Sequence, residues 1–227
     1  MGWLPPWWGQ QLAGAAAVAG WLVVLALLAI QVRRRWPEQR EWSRKLVHIG
    51  TGLVVLIAWG CGIDRLIAIP AAAAITLLAA WNHRLRILPA VEDVGRASYG
   101  TVAYGASITV LLALFWPAQP AAVASGVLVM AWGDGLAGLL GAAVRSPSWM
   151  VLGQRKSVVG TGAMAGISLL VLLGVQQLAQ GQGLASPGLL ALITIATIAT
   201  ACEQVASWGI DNLSVPILTG WLWQHWQ

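Results

Sequence analysis

Apolar runs dominate this chain. The stretch AGAAAVAGWLVVLALLAIQ (13–31) carries no charge, and comparable runs recur almost to the end. An uncharged apolar stretch of ~20 residues is long enough to cross a bilayer as a helix. The chain is 58% hydrophobic and only 9% charged, against the ~25% typical of soluble domains. Its 227 residues therefore hold six to eight spans and no separate soluble domain.

Hydropathy, with glycine and proline as punctuation, predicts seven helices, at 12–32, 46–62, 66–81, 98–116, 121–144, 158–177 and 188–208. The segment 213–226, rich in tryptophan and too short to span, is expected to be an interfacial or re-entrant tail. The expectation is an all-α, polytopic integral membrane protein made of one membrane domain. The N-terminus, MGWLPPWWGQQ, lacks the basic region of a signal peptide.

The charges orient these spans. Of thirteen basic residues, twelve fall in the 33–45, 82–97 and 145–157 loops or at their edges, and only Arg65 lies opposite. By the positive-inside rule those loops are cytoplasmic, which puts the N-terminus outside and the C-terminus in the cytoplasm. Trp59 and Trp116 fall at outer span ends and Trp36, Trp42, Trp81, Trp149 and Trp208 near inner ends, as an aromatic belt does, with Trp21 and Trp132 as exceptions within spans. The net charge of +5 belongs to this orientation signal, so nucleic acid is not expected as a partner. Cys61 and Cys202 fall near opposite faces and are not expected to pair, and no zinc-ligand spacing is present.

Eight acidic residues remain to be explained. Glu38, Glu41, Glu92 and Asp93 lie in basic loops, and Asp64 adjoins Arg65, so solvation or pairing accounts for them. Asp134 does not fit that account. It sits between Gly133 and Gly135 in MAWGDGLAGLLG (130–141), thirteen residues into its span. That is ~20 Å deep, leaving ~10 Å to the cytoplasmic edge of a ~30 Å core. A carboxylate there costs ~2.5–3.5 kcal/mol on insertion scales and marks a functional site. Glu203 and Asp211 lie at the cytoplasmic end of the last span and just beyond it. They are eight residues apart, ~12 Å on a straight helix. They can share one metal only if the chain breaks between them, for which Gly209 is suited.

Basic and hydroxyl groups face these acids. Three helices are expected to begin on the cytoplasmic side, near Arg44, Lys45 and His48, near Arg96 and Ser98, and near Arg155, Lys156 and Ser157. Helix starts of this kind bind phosphate through free N–H groups and the helix dipole. Lys45 and His48 share one helix face. Gly133 and Gly135 would expose backbone to a nucleotide beside Asp134. Carboxylates for Mg²⁺ and cations for phosphates make a phosphoryl-transfer site, since that chemistry is mainly positioning and charge neutralisation. No G-x-x-x-x-G-K-[ST] and no strand–glycine–helix unit exists, so any nucleotide is bound by the membrane helices and their loops.

Four motifs, in order, carry a resemblance over roughly residues 40–216: R-K-L-V-H (44–48), W-G-D-G-L-A-G-L-L-G (132–141), R-K-S-V-V-G-T (155–161) and E-Q-V-A-S-W-G-I-D-N-L-S-V-P (203–216). Together they resemble the polyprenol kinase family, which includes phytol, farnesol, dolichol and CTP-dependent diacylglycerol kinases, and most closely its phytol kinase branch. The resemblance implies phosphorylation of a lipid alcohol drawn from the bilayer, with CTP, UTP or another nucleoside triphosphate as donor and Mg²⁺ as cofactor. It implies that Asp134 is the central acid, as metal ligand or proton acceptor. Lys156, Ser157 and Gly160 would hold the triphosphate beside Arg155. Glu203, Asp211 and Asn212 would complete the metal and substrate site, with Lys45 and His48 on the opposing wall. The chain departs from the family's G-R-R-[FY]-G after Gly141, reading Ala142-Ala143-Val144-Arg145, which displaces or removes a basic group. Two rival readings are a cytidylyltransferase acting on a lipid phosphate and a lipid transporter. The transporter fits poorly, because the outer half offers only Asp64 and Arg65 as charges.

Overall fold

The computed structural model describes residues 6–85 and 99–227. The expected positions Arg86, Glu92, Asp93, Arg96 and Ser98 lie outside the described residues.

Among the described residues the regular structure is helical apart from one hairpin. In order come α1 (Pro6–Arg35), α2 (Arg40–Thr51), α3 (Leu53–Gly60), α4 (Arg65–Leu85), α5 (Gly100–Phe115) and α6 (Pro120–Leu128). A π-helical segment (Val129–Asp134) then leads into α7 (Gly135–Ala143). Strands β1 (Ser148–Val151) and β2 (Gln154–Ser157) precede α8 (Val158–Gly181), α9 (Leu189–Val205) and α10 (Asp211–His225). Among the described residues, four stretches are long and apolar enough to cross a membrane: Trp7–Arg35, Arg65–Leu85, Pro120–Ala143 and Val158–Gly181.

Helix α6 is the axis of the bundle, with every residue buried. Its composition explains this. Ala121, Ala122, Ala124, Ser125 and Gly126 keep it thin, so neighbouring helices approach its backbone, as small residues allow where helices pack in membranes. A Cβ on Gly126 would lie 2.3 Å from the Pro216 carbonyl oxygen. One on Gly220 would lie 2.8 Å from that of Ala122.

Those two contacts seat α10, and here the structure corrects the expectation for residues 213–226. The tail is a packed helix, with Val215, Thr219 and Trp223 buried at one-turn intervals against α5 and α6. Its fifteen residues extend ~22 Å, the same ~21 Å that separates Pro120 from Asp134 along the neighbouring helix. It starts level with Asp134 and ends beside Gln119, where the Gln227 side-chain amide donates to the Gln119 side-chain oxygen Oε1 at 3.2 Å. A length rule that assumes a start at the surface misjudges a helix that starts below it.

The two ends of the bundle are marked by tethers. At one end, Gln11 donates to the Gly62 carbonyl at 2.9 Å, Trp116 to that of Ile63 at 2.8 Å, and Trp59 to the Gln182 side chain at 3.0 Å. At the other, Lys45 meets Asp134, Lys156 meets Glu203, and the Tyr99 amide donates to the Trp208 carbonyl. Counting α2–α3 and α6–π–α7 as single passes, the described residues make eight helical passes along the bundle, where seven helices are expected, and four of the eight are long and apolar enough to cross a membrane. The C-terminus therefore lies at the end away from those lysines and acids, the end at which α1 starts. This corrects the expected cytoplasmic C-terminus relative to the basic loops.

The second pass is broken at Gly52, next to which helical carbonyls need other partners. Trp21 donates to the Gly50 carbonyl at 2.8 Å and Trp132 to that of Ile49 at 3.1 Å. The two in-span tryptophans thus cap a helix joint.

Candidate active site

The expected acids come together. Oxygens of Asp134, Glu203 and Asp211 all lie within 4.8 Å of one another. The break that allows this falls between α9 and α10, where Trp208 (φ 60°) and Gly209 (φ 84°) adopt left-handed backbone. The two are the central residues of a turn closed by the Ile210 amide donating to the Ser207 carbonyl at 3.0 Å, a turn that needs positive φ at both positions. The chain reverses there, and Asp211 turns back toward Glu203 instead of running ~12 Å beyond it.

Asp134 ends the π-helical segment, a rare form concentrated at functional sites. Helix α2 grips that segment. The Lys45 ammonium donates to Asp134 Oδ2 at 3.0 Å and to the Asp134 main-chain oxygen at 3.2 Å. His48 Nε2 donates to the Met130 carbonyl at 3.1 Å and lies 3.4 Å from Asp134 Oδ2. A carbonyl only accepts, so Nε2 carries the proton. The ring of Tyr104 lies 4.6 Å from that of His48. Lys45 and His48 sit in the second and third turns of α2, which starts at Arg40, so the helix N-terminus expected at this point lies further back.

Lys156 comes from the hairpin, which occupies part of the segment 145–157 expected as a loop. β1 and β2 pair antiparallel, with Trp149 opposite Lys156 and a Leu152–Gly153 turn. Lys156 is the one buried residue of β2. Its ammonium donates to the Glu203 carboxylate and, at 2.8 Å, to the Glu203 carbonyl. Gln204 donates to the other Glu203 oxygen at 2.7 Å. Ser157 caps α8, its hydroxyl accepting from the Gly160 amide at 3.2 Å, which is a standard N-cap bond. Arg155 is exposed and bonded to Ser148 at 3.1 Å.

These groups surround a cavity of about 1190 Å³. Its walls include Lys45, Asp134, Lys156, Glu203 and Asp211, together with Asn212. Sequence reasoning missed Gly138, Arg145, Thr161 and Trp208, which also line it. Arg145, four residues after Gly141, brings a basic group to the cavity wall, two to three positions beyond where the family motif has its own. Thr161, in the G-T-G run, has a buried hydroxyl without a hydrogen-bond partner.

Gly133 and Gly135 are not on that wall. A Cβ on Gly133 would lie 2.7 Å from Ser168 Oγ, and one on Gly135 would lie 2.4 Å from Ile49 Cγ1. They let α8 and α2 pack closely, which corrects the expectation that they admit a nucleotide. Gly138 and Gly141 face the cavity instead. A Cβ on Gly138 would meet Lys45 Nζ at 2.8 Å.

The charge pattern fits a divalent cation. Three carboxylates share the space with two lysines, and each lysine is already paired to one acid. Asp211 Oδ1 and Asn212 Oδ1 are buried without partners. A buried, unpartnered carboxylate oxygen beside two other acids is costly without a cation. Mg²⁺, with oxygens at ~2.0–2.1 Å and a preference for carboxylates plus phosphates, suits the set.

Comparison with known proteins agrees with this chemistry. The chain is 40% identical over 215 residues to a protein named phytol kinase from Synechocystis sp., covering 94% of this chain and 89% of that one. It is 27% identical to a protein named probable phytol kinase 2, chloroplastic, from Oryza sativa subsp. japonica, covering 92% of this chain and 73% of that one. No protein-family model matches, and no solved structure matches. At this identity and coverage, the chain belongs to the phytol kinase family.

Proposed function

We propose that this protein phosphorylates a long-chain isoprenoid alcohol, foremost phytol, using a nucleoside triphosphate, foremost CTP. The observation that carries this reading is the carboxylate triad between two buried lysines, in a chain with a 40%-identical phytol kinase relative. The passes are read as crossing the bilayer, with the basic loops and the site on the cytoplasmic face of a plasma or thylakoid-type membrane.

Asp134, Glu203 and Asp211 would hold Mg²⁺, which supplies charge neutralisation to the transferring phosphates. Lys156, Arg155 and the α8 start capped by Ser157 would bind the triphosphate. Asp134 is held by Lys45 through Oδ2 and through its main-chain oxygen, which fixes the carboxylate. Its remaining oxygen is then directed at the metal or at the acceptor hydroxyl proton. The oxygen of the alcohol attacks the terminal phosphorus, the bond from that phosphorus to the bridging oxygen breaks, and the nucleoside diphosphate leaves.

Purified protein with CTP, Mg²⁺ and phytol should yield phytyl phosphate and CDP. Release of pyrophosphate would instead identify a cytidylyltransferase. No product from phytol, geranylgeraniol, farnesol, dolichol or diacylglycerol with CTP, UTP or ATP would overturn the reading.

A further inference from the structure

A helix start binds phosphate through its free amides, but at the start of α8 the amides are taken. The Val158 amide donates to the Pro147 carbonyl at 3.0 Å, the Val159 amide to Ser146 Oγ at 3.3 Å, and the Gly160 amide to Ser157 Oγ at 3.2 Å. An anion in the cavity therefore meets side chains on this wall, in place of the first three amides of the helix.

Those side chains are hydroxyls. Ser146, Ser157 and Thr161 all line the cavity. A hydroxyl that accepts from an amide keeps its own proton to donate, so Ser146 and Ser157 each retain an O–H for a further acceptor. Thr161 is unlike other threonines of this fold. Thr51, Thr76, Thr109, Thr194, Thr197 and Thr200 each bond the hydroxyl to the carbonyl four residues back in the helix. Thr161 makes no such bond, and its Oγ1 is buried without a partner. A buried hydroxyl left unsatisfied is costly, which points to an acceptor that arrives from outside the chain. Thr219 is also left without a partner, but it does not line the cavity. The other side chains on the Thr161 wall are donors too, since Arg145, Arg155 and Lys156 line the cavity with it. A wall of donors suits an anion rich in acceptor oxygens.

We propose that Thr161 Oγ1, flanked by the Ser146 and Ser157 hydroxyls, donates to phosphate oxygens of the nucleoside triphosphate. This rests on the kinase reading and alters the part that α8 plays in it. Hydroxyls carry the contact, two of them polarised by the helix amides they accept from. A helical threonine has two χ1 rotamers open to it, so Oγ1 turns from its buried position toward the cavity without moving the helix. Thr161 is thus a binding residue for the donor.

Two variants test it. Thr161→Val keeps the shape and removes the hydroxyl, whereas Thr161→Ser keeps the hydroxyl. Melting temperatures in detergent with Mg²⁺ are measured alone, with CTP and with inorganic triphosphate, all without lipid alcohol. Alone, Thr161→Val should melt at or above the wild-type protein, because it loses a buried group that has no partner. The concentration of CTP or inorganic triphosphate that gives half the melting shift should rise about tenfold. The KM for CTP should rise in step, with the KM for phytol unchanged. Thr161→Ser should restore both. Unchanged half-saturation and CTP KM in Thr161→Val would overturn the proposal and leave the kinase reading standing. A Thr161→Val protein that melts below wild type when alone would give the hydroxyl a partner within the fold and overturn it equally. A wild-type protein whose melting no triphosphate shifts, and which phosphorylates no lipid alcohol, overturns the kinase reading itself and the Thr161 contact with it.

Discussion

Lys45 holds Asp134 at two points, 3.0 Å from Oδ2 and 3.2 Å from the main-chain oxygen of the same residue. The second contact matters as much as the first. A π turn leaves carbonyls misaligned with the α pattern, and α2 provides partners for two of them, Lys45 at Asp134 and His48 at Met130. One helix thereby fixes both the charge of the central carboxylate and the backbone that aims it.

Residues that act as a unit lose activity non-additively. Lys45→Met and Asp134→Asn should each lower kcat about 100-fold or more, and the double variant should be little worse than either. Steady-state kinetics on the three proteins check this. Multiplying losses would show that the two residues act separately.

The pair Lys156–Glu203 is buried on both sides. Removing one partner strands the other charge, which typically costs ~3–5 kcal/mol, whereas replacing both leaves no orphan. Lys156→Met and Glu203→Gln should each lower the melting temperature in detergent. The combined variant should recover a large part of that loss while remaining inactive. Additive destabilisation would contradict the pairing.

The acids were legible in the sequence because charge is scarce there. A carboxylate amid glycines in an apolar run has few structural uses, and Gly209 marked the break that Glu203 and Asp211 needed to meet. Three features were not legible, each for a tertiary reason. The π segment depends on partners supplied by α2, some eighty residues earlier. The hairpin's alternation is only four residues per strand, too short to stand out from a loop. Helix α10 is short because it starts at the depth of the site, which no local window reveals. Gly133 and Gly135 were misread because a glycine beside a functional acid serves packing and ligand approach equally well until its neighbours are known.

That distinction among glycines can be measured. Gly138→Ala should push the flexible end of Lys45 away from Asp134 and lower kcat roughly tenfold with little change in stability, since a long side chain can move. Gly133→Ala should do the opposite. Its Cβ meets buried Ser168 and Met164, and overpacking costs ~1–3 kcal/mol. Melting curves and kinetics measured side by side separate the two, and matching profiles would refute the assignment.

The eight-pass arrangement predicts that both chain ends share one face. The Gln227–Gln119 contact and the Gln11–Gly62 contact lie at the end of the bundle away from the site. In a background lacking Cys61 and Cys202, Gln227→Cys and Gln10→Cys should react with an impermeant thiol reagent from the same side of sealed vesicles. Arg155→Cys should react from the other side. Labelling of Gln227→Cys together with Arg155→Cys would restore the seven-pass topology.

The unpartnered Asp211 gives the metal reading a test apart from catalysis. Without a cation, its half-buried carboxylate faces Asp134 and Glu203, its Oδ1 has no hydrogen-bond partner, and like charges at this range repel. Asp211→Asn removes that repulsion, so the variant should melt higher than the wild-type protein in EDTA. With Mg²⁺ the order should reverse. A ligand at ~100 times its Kd stabilises the folded state by ~2.7 kcal/mol, a shift of roughly 5–10 °C for a chain of this size. Wild-type protein should gain that shift and Asp211→Asn should lose most of it. Equal Mg²⁺ shifts in the two proteins would remove Asp211 from the metal site. A lower melting temperature for Asp211→Asn in EDTA would mean that its carboxylate has a stabilising partner instead of a vacancy for a cation.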